Sequence, residues 1–217
     1  MSPAEKPSAQ RPSASADYAD AFTPDPDPAA AARESATHLG LPAVSSGTAA
    51  ALTLITRAIG ARTAVEVGTG AGVSSLALLA GMEPDGVLTS IDTEAEHQAA
   101  AREVISGAGI PNRRARLITG AALSVLPKLS DGAYDVVLVD ADPLEYVEYV
   151  EQAARLLRRG GLLIVNHALL GGAIADETNE DDETLIIREA LAATQSMDEF
   201  SPALLTVGDG LLVALRN

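Results

Sequence analysis

The side chains best placed for chemistry in this 217-residue chain are polar groups at the ends of apolar runs. Glu66 sits near the end of Thr63-Ala64-Val65-Glu66-Val67 and is followed by Gly68-Thr69-Gly70-Ala71-Gly72. Asp92 ends a second run, Asp140 and Asp142 follow Val136-Val137-Leu138-Val139, and Asn166 and His167 follow Leu162-Leu163-Ile164-Val165. Carboxylates at such points can accept hydrogen bonds from hydroxyls or pair with an amine. An imidazole, with an unperturbed pKa of about 6.5, can take a proton from a hydroxyl. Glycines let the backbone turn sharply and approach a ligand closely, with a helix N-terminus behind them. The same glycines also suit a tight connection that binds nothing, and His167 also suits a hydrogen-bonded polar residue at a strand end.

Spacing narrows the ligand. A dinucleotide fingerprint G-x-G-x-x-G starting at Gly68 requires glycine where Val73 stands, and no lysine follows as in a phosphate-binding loop. Asp92 can accept from both hydroxyls of a ribose, and Glu66 facing the loop suits an amine better than a pyrophosphate. Adenosine bearing a cationic amino-acid tail, S-adenosylmethionine, fits that combination. Ser74 and Ser75 have no histidine–aspartate arrangement around them in sequence, so a hydrolase triad has little support. His38 and His97 fall on predicted helices and look structural.

These groups need a scaffold that brings strand ends together. Short apolar strands are predicted over 63–67, 86–91, 115–119, 134–139 and 161–165, with helices over 73–81, 94–108, 121–129 and 144–158 between and after them. Helices over 28–38 and 47–59 precede the first strand, the second capped by Ser45 or Ser46. Continuous apolar runs in short strands belong to a parallel sheet covered on both faces. Right-handed crossovers then give a doubly wound, Rossmann-like α/β fold. After an acidic loop over 176–183, a helix to about residue 193 leads to strands over 204–207 and 211–215. These are joined by Gly208-Asp209-Gly210, so the last strand should run antiparallel. The expected architecture is a seven-stranded sheet, five parallel strands plus a C-terminal hairpin. Residues 1–27, rich in Pro, Ala, Ser and Asp, show no helical or strand period and read as a disordered tail before a single domain over 28–217.

Composition excludes several functions. Fifteen Lys+Arg against thirty Asp+Glu give a formal net charge of −15, the wrong balance for nucleic acid or anionic lipid. No run approaches the roughly 18 apolar residues that span a bilayer, and the first residues have no apolar signal core. With no cysteine there is no thiolate metal site, and the cytoplasm is the expected location. The acidic loop holds six acids and no base; it suits a solvated helix start, or a charge that repels anionic acceptors.

Taken in order, Pro42-Ala43-Val44-Ser45-Ser46-Gly47, the stretch 65–75, Leu88-Thr89-Ser90-Ile91-Asp92, Val139-Asp140-Ala141-Asp142, 156–165 and Val207-Gly208-Asp209-Gly210-Leu211 resemble the class I methyltransferases. More narrowly they resemble the small bacterial O-methyltransferases related to catechol and caffeoyl-CoA O-methyltransferases, in an actinobacterial branch. The resemblance runs from Pro42 to Arg216. It implies a methyltransferase that moves a methyl group from S-adenosylmethionine to a hydroxyl of a small molecule, and a homodimer. Val44 would lie over the methionine part, with Glu66, Gly68, Thr69, Gly70 and Ser74 around the amino-acid end. Asp92 and Thr93 would hold the ribose, and Ala121 would follow the adenine edge. Asp140 and Asp142 would face the methionine end and the acceptor. The family's divalent metal would sit at Asp140, Asn166 and His167, but an Asp-Asn pair is typical at the last two positions, and the usual lysine is Pro143. One carboxylate, one amide and one imidazole make a poor Mg²⁺ site, so weak or absent metal binding is expected, with Asp140 and His167 left as catalytic candidates. The same departures suit a second reading, a S-adenosylmethionine-binding sensor with impaired catalysis.

Overall fold

The computed structural model describes residues 14–217. The central sheet comprises β1 (Thr63–Val67), β2 (Val87–Asp92), β3 (Ala115–Thr119), β4 (Tyr134–Val139), β5 (Leu157–Val165), β6 (Phe200–Leu205) and β7 (Leu211–Arg216). Their spatial order is β3-β2-β1-β4-β5-β7-β6. β1 to β5 pair in parallel, and β7 runs antiparallel to both β5 and β6. The doubly wound Rossmann-like sheet and its antiparallel last strand are therefore as expected.

Alternation along β4 explains the unbroken apolar runs. Val136 and Leu138 pack on one face with Leu78, Leu88 and Ile164, whereas Val137 and Val139 pack on the other with Tyr146, Val150 and Leu163. Because both faces are covered, all four positions from Val136 to Val139 are apolar. Helices α3 (Ser46–Ala58), α4 (Val73–Gly81) and α5 (Ala95–Gly107) cover the first face. The short α6 (Ala122–Val125), α7 (Tyr146–Leu156) and α8 (Asp182–Ser196) cover the second.

The N-terminal reading is corrected. Residues 14–27 are not irregular: they form α1 (Ala14–Ala21) and a strap into α2 (Asp27–Leu39), while residues 1–13 lie outside the described residues. No side chain of α1 is buried, so there was no apolar period to detect. Polar contacts hold the segment instead. Asp20 accepts from the Gly47 amide at 2.9 Å, at the start of α3, and Asp25 accepts from Arg33 Nε at 2.5 Å and Ser46 Oγ at 2.9 Å. Arg33 also donates to the Val44 carbonyl at 2.5 Å. Further along, 143–145 form a separate turn before α7, β5 begins at Leu157, and β6 lies four residues earlier than expected, over Phe200–Leu205.

At the amino-terminal edge, Asp135 joins three strands. Its Oδ2 accepts from the amides of Arg62 (2.7 Å) and Thr63 (2.8 Å), and its Oδ1 accepts from Arg158 Nε (2.5 Å). Those bonds favour the charged form and hold its pKa below the usual carboxylate range, although burial pushes the other way. A group of this kind stabilises the fold above its unfolded pKa and loses that contribution as pH falls. Asp135→Asn is expected to lower unfolding free energy by about 2–3 kcal/mol at pH 7, with a smaller difference near pH 3. Urea melts at the two pH values check this.

Candidate active site

The strand order reverses between β1 and β4, which leaves a crevice outside their carboxyl ends, where open α/β sheets bind ligands. A cleft of about 440 Å³ occupies that place. One wall is the segment from Leu41 to Val44, held from behind by Arg33. Gly68, Thr69, Gly70 and Ser74 form the floor, Asp92, Thr93 and Ala121 one end, and Asp140, Asp142 and His167 the other. Thus Val44 and ten of the other predicted residues meet around one space.

Gly68 shows why this turn needs glycine. Its φ is +90°, and a Cβ there would lie 1.9 Å from the Asp140 carbonyl oxygen. The β1 turn and the end of β4 touch backbone to backbone. Beneath the loop, Thr69 Oγ1 meets Ser90 Oγ at 2.6 Å and accepts from Gln98 Nε2 at 2.8 Å, so the Thr69 side chain points into the core.

Asp92 reaches the cleft with both oxygens engaged. Oδ2 accepts from the Thr69 and Gly70 amides, each at 3.0 Å, and Oδ1 accepts from the Glu94 amide at 2.9 Å and contacts His97 Nδ1 at 3.0 Å. It therefore shapes the glycine loop as well as facing the ligand space. His97, read from sequence as structural, lines the cleft.

Glu66 differs from its expected position. It does not line the cleft but lies beneath the loop with no accessible surface. Oε2 accepts from Ser75 Oγ and, at 2.5 Å, from Ser90 Oγ, while Oε1 has no partner. Burial pushes its pKa up to about 7 against the opposing hydrogen bonds of Ser75, Ser90 and Ser74, and the nearby Asp140 adds to the rise. Asp140 is raised too, chiefly by burial, with the Asn166 hydrogen bond and His167 opposing.

At the other end, Asn166 Nδ2 donates to Asp140 Oδ1 at 2.8 Å, and His167 Nε2 stands 3.8 Å from the same oxygen. His167 Nδ1 lies 3.2 Å from Asp209 Oδ2. Tyr149 donates to the Glu145 carboxylate on the cleft wall. Asp142 Oδ1 accepts from the Leu144 amide at 3.0 Å, which starts the turn at Pro143–Glu145. Asp209, Glu145 and Tyr149 escaped the sequence reading. Asp209 was visible only as part of a turn, and the other two lie on an ordinary helical stretch. None of the acids over 176–183 lines the cleft.

A sequence profile of the O-methyltransferase family matches residues 30–217. The chain belongs to the O-methyltransferase family. Among its relatives, a Mycobacterium tuberculosis protein named as a probable O-methyltransferase, Rv1220c, is 46% identical over 87% of this chain and 84% of its own. The O-methyltransferase TomG of Streptomyces achromogenes, involved in tomaymycin synthesis and solved with S-adenosylmethionine, has a TM-score of 0.84. It is 28% identical, with 92% of this chain and 94% of TomG covered. A Bacillus cereus O-methyltransferase solved with S-adenosylhomocysteine has a TM-score of 0.83 at 27% identity, with 92% and 95% covered.

The donor set of this O-methyltransferase does not fit the metal of its catechol-type relatives. A hard cation at Asp140 needs oxygen donors, but Asn166 presents its NH₂ to that carboxylate and His167 contributes nitrogen. Calorimetry with Mg²⁺ is accordingly expected to show no saturable binding at millimolar concentrations.

Glu66 yields a second expectation. A carboxyl whose pKa is raised on folding favours the fold below its unfolded value of about 4.5, and that advantage is lost as pH rises to about 7. Glu66→Gln, which cannot ionise, should gain stability relative to wild type across that window. The gain should level off above it, on the order of 3 kcal/mol, in denaturant melts at stepped pH.

Proposed function

We propose that the chain transfers a methyl group from S-adenosylmethionine to a hydroxyl oxygen of a small molecule. The observation that carries this reading is the cleft at the carboxyl ends of β1 and β4, which brings the Gly68–Gly70 turn, Asp92 and the Asp140–His167 pair around one space. Ser74 would hold the amino-acid end, beside the Gly68–Gly70 turn, with Val44 over the methionine chain and Glu66 bracing the loop from below through Ser75 and Ser90. Asp92 would hold the sugar hydroxyls, its His97 contact being the one of four made by a rotatable side chain. Thr93 and Ala121 would flank the sugar and base, and Asp142 the methionine end.

When bound, S-adenosylmethionine supplies a methyl carbon on a cationic sulfur; as the acceptor oxygen forms the C–O bond, the C–S pair stays on sulfur and leaves the neutral thioether. The protein's task is alignment and proton removal. His167 and Asp140 stand together on the cleft wall, and we assign them the catalytic roles: His167 receives the acceptor proton, and Asp140 stabilises the resulting imidazolium. Tyr149 and Glu145 would contact the acceptor.

We also take residues 28–217 as one catalytic domain acting in the cytoplasm as a homodimer. The family resemblance supports the dimer, and the absence of cysteine supports a reducing compartment. No described helix is long and apolar enough to cross a membrane.

Two measurements test the reading. Calorimetry with S-adenosylhomocysteine should give one site per chain, and Glu66→Ala should weaken it at least tenfold. Binding without turnover of any phenol or alcohol would favour the sensor. The Asp209 hydrogen bond and the charge of Asp140 raise the His167 pKa above 6.5 despite burial. A base must be neutral to act, so kcat is expected to climb with pH through that raised value, tenfold per unit below it, in turnover assays from pH 5.5 to 9.

A further inference from the structure

Just past β5 the backbone is strained. Among the described residues His167 (φ 56°) and Leu170 (φ 45°) are the two non-glycine residues at positive φ, a conformation that disfavours each by about 1 kcal/mol or more. Contacts with the turn between β6 and β7 hold them there. The amides of Ala168 and Leu169 donate to the carbonyls of Gly210 (3.1 Å) and Asp209 (3.0 Å). At Gly210, with φ +87°, a Cβ would lie 2.6 Å from the Leu169 nitrogen, so only glycine lets the two backbones come this close. The Asp209 carboxylate is then fixed at both oxygens: Oδ1 accepts from the Gly171 amide at 2.5 Å, and Oδ2 faces His167 Nδ1 at 3.2 Å. On the far side of the ring, the 3.8 Å between Nε2 and Asp140 Oδ1 is too long for a hydrogen bond. His167 lines the cleft, whereas Asp209 does not and can act only through the imidazole.

We propose that Asp209 is a positioning residue that accepts Nδ1–H of His167, and so fixes the tautomer whose bare Nε2 takes the acceptor's proton without a metal ion or a lysine. The inference rests on the methyl-transfer reading above. In the step it describes, the acceptor O–H bond breaks, the proton goes to Nε2, and the bonding pair stays on oxygen. The imidazolium then lies between the carboxylates of Asp209 and Asp140, the charged groups that face it from the hairpin turn and from β4. In the established triad logic, a carboxylate behind a histidine sets tautomer and orientation rather than relaying the proton.

The discriminating variant is Asp209→Asn. The Gly171 amide already claims one side-chain oxygen, so an amide in this place would turn its NH₂ toward Nδ1 and favour the wrong tautomer. ¹⁵N NMR of the full chain at pH 8.5, without cofactor or acceptor, is expected to show His167 protonated at Nδ1 and bare at Nε2, reversing in Asp209→Asn. Where a panel of catechols, monophenols and alcohols yields turnover, the variant should lose roughly a hundredfold in kcat while KM for S-adenosylmethionine changes less than about twofold. The proposal is overturned by a wild-type His167 protonated at Nε2, which needs no variant to observe. It is also overturned by an Asp209→Asn protein with unchanged tautomer and kcat, or by turnover abolished with EDTA and restored by Mg²⁺. A wild-type chain with the expected tautomer that methylates nothing on the panel overturns the transferase reading itself, and the base role with it.

Discussion

Two carboxylates at the carboxyl ends of neighbouring strands, one buried beneath the glycine loop and one facing the cleft, constrain this site. Glu66 on β1 and Asp140 after β4 are each raised in pKa mainly by burial, and Asp140 raises Glu66 further. Among the described residues no arginine or lysine pairs with either. Water is kept from Glu66 by the glycine loop above it, and three serine hydroxyls offset only part of the lost hydration. Leaving these groups charged there is costly, and burial raises their pKa values in response.

The rest of the fold keeps those charges in place. The β1 turn crosses the end of β4 at backbone contact through Gly68, which keeps the two strand ends close. Asp92 ties the turn to β2 through two amides, and Gln98 of α5 braces it from below through Thr69. On the other flank, Asp20, Asp25 and Arg33 hold the wall that carries Val44. The antiparallel hairpin, which closes the far edge of the sheet, sends its turn back to the site and places Asp209 behind His167. The ends of β1, β2, β4 and β5 thus supply the polar groups of the site, on strands paired side by side in one sheet.

The residues around Asp140 depart from the pattern of the catechol-type family the sequence resembles. Pro143 replaces a lysine, and it starts a short turn that points the chain toward Glu145 and Tyr149. Asn166 offers its amide donor to Asp140, and Tyr146 donates to the Asn166 carbonyl at 3.2 Å. What would be a cation's coordination sphere is instead a hydrogen-bonded set around an imidazole.

Much of this was legible without coordinates, because it depends on local pattern. Doubly apolar strands, glycines at strand ends and acids at fixed offsets follow from covalent geometry and two-sided burial, so the fold, the glycine loop and the positions of Asp92, Asp140 and His167 could be read along the chain. The helix α1 could not, since it buries nothing and is tied through Asp20 to the Gly47 amide, 27 positions away. Nor could the withdrawal of Glu66 beneath the loop, the engagement of both Asp92 oxygens, or the meeting of Asp209 with His167 across 42 positions. By itself the sequence determined which residues end each strand, because side-chain periodicity is a local property. Only tertiary structure decided which way their polar atoms point and what faces them, because those depend on how elements distant in the chain pack against one another.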